Sequence, residues 1–245
     1  MDIKGKVIIV TGASNGIGLA AARLLSQHGA RLALVARSSD KLREIAKGMP
    51  ESFPFTADMT KESNIRAMVD AVVKHFGRID VLINNAGQGL YGPIEATDLA
   101  QYRSIMELNV FGPVAAMQAV IPVMRKQGGG LILNVSSAVS KMYIPHLGAY
   151  ASTKYALNAV SLTSRQELAA DNIRVGIMLP GMTATDFGKN ALGTRPQGSL
   201  RPAAAQGSSA PPMPRTETAE EVAQKILEAL ISEEAEVLAN SIARR

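Results

Sequence analysis

Cysteine and tryptophan are absent from this 245-residue sequence. Without cysteine, the chain can form no disulfide, no thiolate nucleophile and no cysteine-ligated zinc site. Its three histidines, His28, His75 and His146, are far apart and show no spacing typical of a zinc site. The sequence therefore excludes thiol chemistry and indicates no metal site.

Aromatic residues are few, and charges of one sign are not clustered. Aromatic side chains make up 4% of the sequence, which leaves few surfaces for stacking on nucleic-acid bases. The 26 basic and 21 acidic residues give a net charge of +5, but lysine and arginine are scattered without a basic run. We expect no nucleic-acid partner, and the basic excess suits a solvated surface or an anionic cofactor.

Long hydrophobic runs are also lacking. Charged residues or glycines interrupt each apolar stretch before the roughly 18 residues that a membrane-spanning helix needs. The N-terminal residues do not show the basic region, long apolar segment and cleavage site of a secretory signal. We therefore expect a soluble, cytoplasmic protein without a membrane partner. With 47% hydrophobic residues the chain can bury a sizeable core, and its length predicts one domain over residues 1–245.

Short β-branched or aliphatic runs alternate with segments of helical periodicity. The runs predict strands at 6–11, 31–36, 53–57, 79–84, 131–136 and 173–179, and a weaker one at 235–239. Helices are predicted at 16–28, 39–48, 61–76, 98–126, 150–170 and 217–231. The alternation predicts an α/β fold, with a doubly wound, mostly parallel sheet of about seven strands and helices on both faces.

Residues 188–216 interrupt this alternation. They contain five prolines and four glycines in 29 residues, without helical or alternating periodicity. So long an irregular stretch is uncommon inside a compact domain unless it is a lid or a disordered insert. We predict a mobile substrate lid, with an inert linker as the alternative.

A glycine-rich turn, Thr11-Gly12-Ala13-Ser14-Asn15-Gly16-Ile17-Gly18, follows the first predicted strand and opens a helix. Its glycines permit a tight turn and let backbone amides approach a pyrophosphate at the positive end of the helix. The spacing Gly-x3-Gly-x-Gly differs from the common Gly-x-Gly-x-x-Gly fingerprint of dinucleotide sites. A purely steric role for the glycines is the alternative.

The end of the second strand indicates which dinucleotide would bind. An NAD site usually places Asp or Glu there, whereas this sequence reads Val35-Ala36-Arg37-Ser38. Arg37 offers a forked cationic donor for a 2′-phosphate, and Ser38 adds a hydroxyl. The residues favour NADP(H) over NAD(H), and an exposed surface arginine is the alternative without a ligand.

Tyr150 and Lys154 lie four residues apart in a predicted helix and so share one of its faces. An ammonium group at this distance is expected to lower the pKa of the tyrosine from about 10 towards the working pH. Tyr150 would then act as general acid in a reduction and general base in an oxidation. An exposed helix face also explains such a pair. Neither Tyr143 nor Tyr155 has a lysine four residues on.

Taken together and in this order, the motifs resemble the short-chain dehydrogenase/reductase family over essentially the whole chain. The resemblance implies one Rossmann domain, hydride transfer between a nicotinamide and an alcohol or carbonyl substrate, and a homodimer or homotetramer. The matching residues are the Thr11–Gly18 turn, Asn84-Asn85-Ala86-Gly87, Asn109 in Leu-Asn-Val-Phe-Gly, Ser136-Ser137, the Tyr150/Lys154 pair and Pro180-Gly181.

Four catalytic residues are implied by the resemblance. Tyr150 would be the acid/base, and Lys154 would bind the nicotinamide ribose and lower the pKa of the tyrosine. Ser137 would hold the substrate oxygen, because the family's serine lies thirteen residues before the tyrosine, as Ser137 does here. Asn109 would keep a water in a proton relay behind the lysine.

The resemblance also implies a set of cofactor contacts. These contacts lie in the glycine turn, at the end of the second strand, in a pair that flanks the adenine and in a segment at the adenine ribose. They also include the two catalytic side chains and the residues at the carboxamide. The set comprises Gly12, Ser14, Asn15, Gly16, Ile17, Gly18, Arg37, Ser38, Asp58, Met59, Asn85, Ala86, Gly87, Tyr150, Lys154, Pro180, Gly181, Thr183 and Thr185. Taken singly, a turn-forming aspartate or a capping threonine is the ordinary alternative.

Some features depart from the family. Asn15 stands where many NADP-preferring members carry a basic residue, so Arg37 would bind the phosphate with less help. The chain lacks the Asp-Gly-Gly ending of many fatty-acid-synthesis reductases, which argues against an acyl-carrier-protein ketoreductase. A non-catalytic NADP-binding regulatory protein of the same fold is the alternative function. A sugar-nucleotide epimerase would need a larger substrate domain than the 65 residues after Pro180 can form.

Overall fold

The computed structural model describes residues 1–194 and 215–239. These residues form nine strands: β1 (Val7–Thr11), β2 (Arg31–Ala36), β3 (Ser52–Thr56), β4 (Val81–Asn84), β5 (Leu90–Tyr91), β6 (Gly130–Val135), β7 (Ile173–Leu179), β8 (Leu192–Gly193) and β9 (Glu236–Leu238). They also form seven α-helices: α1 (Gly16–Gln27), α2 (Ser39–Lys47), α3 (Glu62–Phe76), α4 (Leu99–Met106), α5 (Gly112–Lys126), α6 (Gly148–Glu167) and α7 (Ala219–Ser232). Short 3₁₀ turns cover Ile94–Ala96, Ala138–Lys141 and Ala169–Asp171, and a π turn covers Glu107–Phe111.

Seven strands form one parallel sheet in the order β3-β2-β1-β4-β6-β7-β9. They agree with the seven predicted strands to within two residues at each end. Helices cover both faces of the sheet, so the predicted doubly wound α/β fold is confirmed. The strand order reverses between β1 and β4, and open α/β sheets bind ligands in the crevice at such a reversal.

Alternate residues of the central strand β1 enter two separate apolar clusters. Ile8 and Val10 pack with α1 and α7 on one face, whereas Val7 and Ile9 pack with α3 and α5 on the other. Successive side chains of a strand point to opposite faces, so a sheet covered on both sides needs continuous apolar strands. This requirement explains the uninterrupted run at residues 7–10.

The segment predicted as one helix over 98–126 is two helices joined by the π turn. The turn buries Asn109 and Val110, and α5 then begins at Gly112. The whole helical stretch, Leu99–Lys126, is long and apolar enough to cross a membrane by length and composition alone, and an 18-residue window within it has a mean hydropathy of 1.3. Because Ala116 and Val120 pack in the cluster of α3 and α5, we interpret it as a helix of the core.

The segment predicted as a lid over 188–216 falls partly within the described residues. Leu192 and Gly193 form β8, which pairs in parallel with Leu90 and Tyr91 of β5. The sequence did not predict this short sheet, because two-residue strands leave no periodicity to detect. Residues 195–214 lie outside the described residues, so the lid stays a prediction.

Candidate active site

The loops that follow β1 and β4 are joined by side-chain hydrogen bonds. The Thr11 Oγ1 atom accepts hydrogen bonds from the Asn85 and Ala86 backbone N–H groups at 2.9 and 3.0 Å. Asn85 Nδ2 donates in return to the Thr11 carbonyl oxygen at 2.9 Å. These bonds fix the predicted segment Asn85–Gly87 beside the glycine turn, at the carboxyl edge of the sheet.

Two glycines of the turn are required by close packing. Gly12 has a φ of +70°, and a Cβ there would lie 2.8 Å from Asn85 Nδ2. A Cβ on Gly18 would overlap the carbonyl oxygen of Gly12. Steric need therefore accounts for these two positions, and it brings the first turn of α1 close to the end of β1.

The start of α1 fits an anionic group. Asn15 caps the helix by accepting a hydrogen bond from Gly16 N–H at 2.9 Å, and the first turn contains no acidic residue. The first backbone hydrogen bond of the helix is the one that the Leu19 N–H group donates to the Asn15 carbonyl oxygen at 3.2 Å. The N–H groups of Ile17 and Gly18 therefore have no acceptor within the helix and lie at its positive end. A pyrophosphate is the kind of group that such an end binds.

The segment after β7 crosses the helix end. Asn15 Nδ2 donates to Asp186 Oδ2 at 3.3 Å, and a Cβ on Gly16 would lie 3.3 Å from Thr185 Cγ2. The pKa of Asp186 is lowered, and the hydrogen bond from Lys189 contributes most to this change. A carboxylate therefore lies at the edge of this site. The predicted residue Thr185 is thus beside the glycine turn, whereas Thr183 donates from its hydroxyl to Gly181 O and pairs with Glu217.

Arg37 and Ser38 are both exposed between β2 and α2. Ser38 precedes α2, and its hydroxyl makes no capping hydrogen bond. Backbone hydrogen bonding from Thr60 lowers the pKa of Asp58, and the Arg37 guanidinium lowers it further. The structure therefore brings Arg37 near Asp58, which was predicted to flank the adenine. The Met59 side chain, the other predicted flanking residue, is instead buried in the cluster of α3 and α5.

Tyr150 and Ser137 meet at the end of β6. Ser137 begins the 3₁₀ turn after this strand, and its hydroxyl lies close enough to the Tyr150 phenol to lower the pKa of that group. Tyr150 lies in the first turn of α6 and is 8% exposed. Burial raises the pKa of the phenol above its ordinary value, and the Ser137 hydroxyl opposes this rise.

Lys154 lies one helical turn beyond Tyr150 and is buried with it. Its Nζ atom donates to the Val135 carbonyl oxygen at 3.0 Å and lies 6.0 Å from the centre of the Tyr150 ring. Burial lowers the pKa of Lys154 to about 8. The expectation that the pKa of Tyr150 is lowered towards the working pH is wrong for this arrangement, because desolvation of the phenol is the largest effect and raises its pKa.

Asn109 is completely buried in the π turn. Its Oδ1 accepts from Gln88 N–H at 2.9 Å, and its Nδ2 donates to Gln88 O at 2.8 Å and to Thr153 Oγ1 at 3.1 Å. A Cβ on Gly87 would lie 3.2 Å from Asn109 Oδ1 and 3.7 Å from Lys154 Nζ. Gly87 therefore separates the amide from the ammonium group. All four predicted catalytic residues are brought together, while the water relay stays a prediction.

Several residues at the site were not predicted. Thr153 accepts the hydrogen bond from Asn109 and donates to Tyr150 O at 2.8 Å, so it joins the π turn to α6. Phe187 places its ring 5.7 Å from the Tyr150 ring. The position of Thr153, between the tyrosine and the lysine, was a usable signal. Nothing in the sequence indicates that Phe187 folds back onto Tyr150.

The end of β7 reaches the same site. The carbonyl oxygen of Pro180 accepts a hydrogen bond from Ala138 N–H at 2.8 Å, which places Gly181 next to the turn that carries Ser137. Among residues 1–194 and 215–239, no group of three or more potential metal ligands is found. The described site thus consists of hydroxyl, ammonium and amide groups near the positive end of a helix.

Comparison with known proteins agrees with this geometry. The family model described as short chain dehydrogenase matches residues 6–195. An uncharacterized oxidoreductase of Staphylococcus epidermidis is 38% identical over 194 residues, covering 76% of this chain and 84% of the relative. An alcohol dehydrogenase of the archaeon Thermococcus sibiricus, solved with 5-hydroxy-NADP, has 30% identity and a TM-score of 0.81 over 99% of both chains.

A short-chain dehydrogenase/reductase of Burkholderia phymatum, solved with NAD, has a TM-score of 0.83 but only 23% identity, covering 98% of this chain and 90% of the other. At that identity it supports the fold alone. The family model goes further, because the matched residues 6–195 include the segments that build the site. The chain therefore belongs to the short-chain dehydrogenase/reductase family of oxidoreductases.

Proposed function

We propose that this protein is an NADP(H)-dependent oxidoreductase that interconverts an alcohol and a carbonyl compound, with Tyr150 as general acid and base. The observation that carries the proposal is the placement of the Ser137 hydroxyl beside the buried phenol of Tyr150, one helical turn from buried Lys154. A bound nicotinamide would supply or accept a hydride at the substrate carbon. The protein would hold the substrate oxygen and move its proton.

In the reductive direction, the hydroxyl groups of Ser137 and Tyr150 both donate to the substrate carbonyl oxygen. Tyr150 Oη then transfers its proton to that oxygen as negative charge develops on it. The raised pKa of Tyr150 keeps the phenol protonated through the neutral range, which suits a general acid. The Lys154 ammonium group would stabilise the phenolate left behind, because it lies one helical turn away.

The residues that follow β2 support a preference for NADP(H). Arg37 and Ser38 are exposed there, and no carboxylate occupies the position that would bind the ribose hydroxyls of NAD. The Asp58 carboxylate lies near Arg37 and attracts its guanidinium group. A 2′-phosphate bound by Arg37 would therefore compete with Asp58 for this group. The NADP analogue bound by the Thermococcus enzyme is consistent with this choice.

The test is oxidation of NADPH with a panel of ketones, aldehydes and quinones. We expect turnover by the wild type and at least a hundredfold lower kcat for Tyr150→Phe, about the contribution of a general acid. Tyr155→Phe is the matched control, because this tyrosine is on the same helix but is 36% exposed.

Equal turnover by Tyr150→Phe and the control would refute the assigned role of the phenol. Tight NADPH binding without turnover of any carbonyl compound would instead favour a regulatory protein of the same fold. Binding can be measured separately by fluorescence of the cofactor, so the two outcomes are distinguishable.

A further inference from the structure

One aromatic side chain lies beside the catalytic tyrosine, and a second belongs to β5, a strand that contacts the helix of Tyr150. Phe187, after β7, packs its ring at 53° to the ring of Tyr150, with 5.7 Å between the centroids. Tyr91, in β5, is partly buried, and the N–H group of the next residue, Gly92, donates to His146 O at 3.0 Å, just before the helix of Tyr150.

The segments that carry these two rings are held together by backbone bonds. Tyr91 is paired with Gly193 in the short sheet of β5 and β8. Leu192 N–H donates to Gly89 O at 2.9 Å, and Gln88 Nε2 donates to Asn190 O at 3.0 Å. These bonds hold the segment that carries Phe187 against the strand that carries Tyr91.

Phe187 is further fixed by its immediate neighbours. A Cβ on Gly89 would lie 3.1 Å from Phe187 Cε1, so the ring packs directly against a residue without a side chain. On its other side, Phe187 N–H donates to Thr185 Oγ1 at 3.3 Å. The side chain nevertheless remains 39% exposed, which leaves part of its surface available to a ligand.

We propose that the substrate is an aryl ketone or aryl aldehyde, whose ring packs against Phe187 while its carbonyl oxygen reaches Tyr150. This inference rests on the proposed function. Aromatic rings attract one another at centroid distances of about 4.5–7 Å beyond the effect of buried area, because the edge of one ring is positive and the face of another negative. A saturated ring of the same size fills the space without this attraction.

The experiment compares acetophenone with cyclohexyl methyl ketone, two ketones of similar size, in NADPH oxidation. We expect the wild type to have the higher kcat/KM for acetophenone. Phe187→Leu should lower the ratio of the two kcat/KM values about two- to tenfold, as expected for the loss of an aromatic pair. Phe53→Leu is the control, since Phe53 lies in the edge strand β3 and packs against His75.

A wild-type preference for the saturated ketone would overturn the inference, and so would a ratio that Phe187→Leu leaves unchanged. Reduction of other carbonyl compounds but not of acetophenone would also overturn it, while the proposed function stands. If no carbonyl compound is reduced at all, the proposed function itself fails. A melting temperature of Phe187→Leu close to that of the wild type shows that the change acts on the substrate and not on folding.

Discussion

Burial has opposite effects on the pKa values of the two ionisable groups at the centre of the site. It raises the pKa of the Tyr150 phenol and lowers the pKa of the Lys154 ammonium to about 8. Both changes favour the uncharged form, because a charged group loses its hydration inside the protein. Tyr150 therefore keeps its proton at neutral pH, while Lys154 titrates close to the working range. Such pairs of displaced pKa values are concentrated at functional sites.

Arg37 is the residue that should decide between the two dinucleotides. We expect Arg37→Ala to raise the KM for NADPH about tenfold or more and to leave the KM for NADH nearly unchanged, because only NADPH carries the 2′-phosphate. The measurement is initial-rate kinetics with both cofactors at a fixed substrate concentration.

Arg43→Ala is the control for this prediction, because Arg43 is exposed in α2 and pairs with Asp40. Equal increases of KM for both cofactors in Arg37→Ala would mean that the arginine is a surface residue without a role in cofactor choice.

The 3₁₀ turn that carries Ser137 is attached to α6 by a short hydrogen-bond chain. Asn158 Nδ2 donates to Ser140 Oγ at 2.8 Å, and Ser140 Oγ donates to the Ser137 carbonyl oxygen at 2.6 Å. Asn158 Oδ1 is buried and has no hydrogen-bond partner in the described part of the chain. Within the described residues, the Asn158 amide is therefore held only by the hydrogen bond that its Nδ2 donates to Ser140.

We expect Ser140→Ala to reduce kcat several-fold as well as stability. The substitution leaves the Asn158 amide without its partner, which is expected to destabilise the protein by about 1–3 kcal/mol. It also loosens the turn that places the Ser137 hydroxyl against Tyr150. Thermal unfolding and the kcat for a carbonyl substrate measure the two effects separately.

Ser161→Ala is the matched control variant for Ser140→Ala. Ser161 is equally buried on α6, and it accepts a hydrogen bond from Asn134 Nδ2 at 2.7 Å away from Ser137. Its loss should lower the melting temperature without a change in kcat. If both variants lose kcat in proportion to stability, Ser140 has only a structural role.

The buried lysine links the catalytic site to the stability of the whole molecule. Its pKa is about 8 in the folded protein, against an ordinary value of 10.5. Between these values the unfolded chain binds more protons than the folded protein, so the free energy of unfolding increases with pH. The destabilisation by burial is complete below the folded pKa and disappears above the unfolded one.

We expect the free energy of unfolding of the wild type to rise by about 1.5 kcal/mol relative to that of Lys154→Met between pH 8 and 9.5. Urea unfolding of both proteins across this range is the measurement. Tyrosine in the unfolded chain ionises mainly above this pH range. Tyr150 therefore has little influence on the difference in unfolding free energy between the two proteins. Parallel pH profiles for the two proteins would show that Lys154 is not desolvated.

The parallel sheet and its order of elements could be predicted from the sequence, because continuous apolar strands and helical periodicity are local patterns. The Tyr150/Lys154 pair, Ser137 and the glycine turn were also accessible, since each depends on a short spacing or on a motif of the family. The interruption of 98–126 by a π turn was not accessible. It depends on Asn109 finding partners in Gln88 and Thr153, which are distant in the sequence.

The amino-acid sequence by itself determined the fold class, the family and the residue types of the site, because these follow from periodicity and short motifs. Tertiary structure alone decided the direction of the pKa change at Tyr150, since desolvation depends on what the folded chain packs around the phenol. It also decided that Phe187 lies against Tyr150, because that contact joins segments that no local pattern connects.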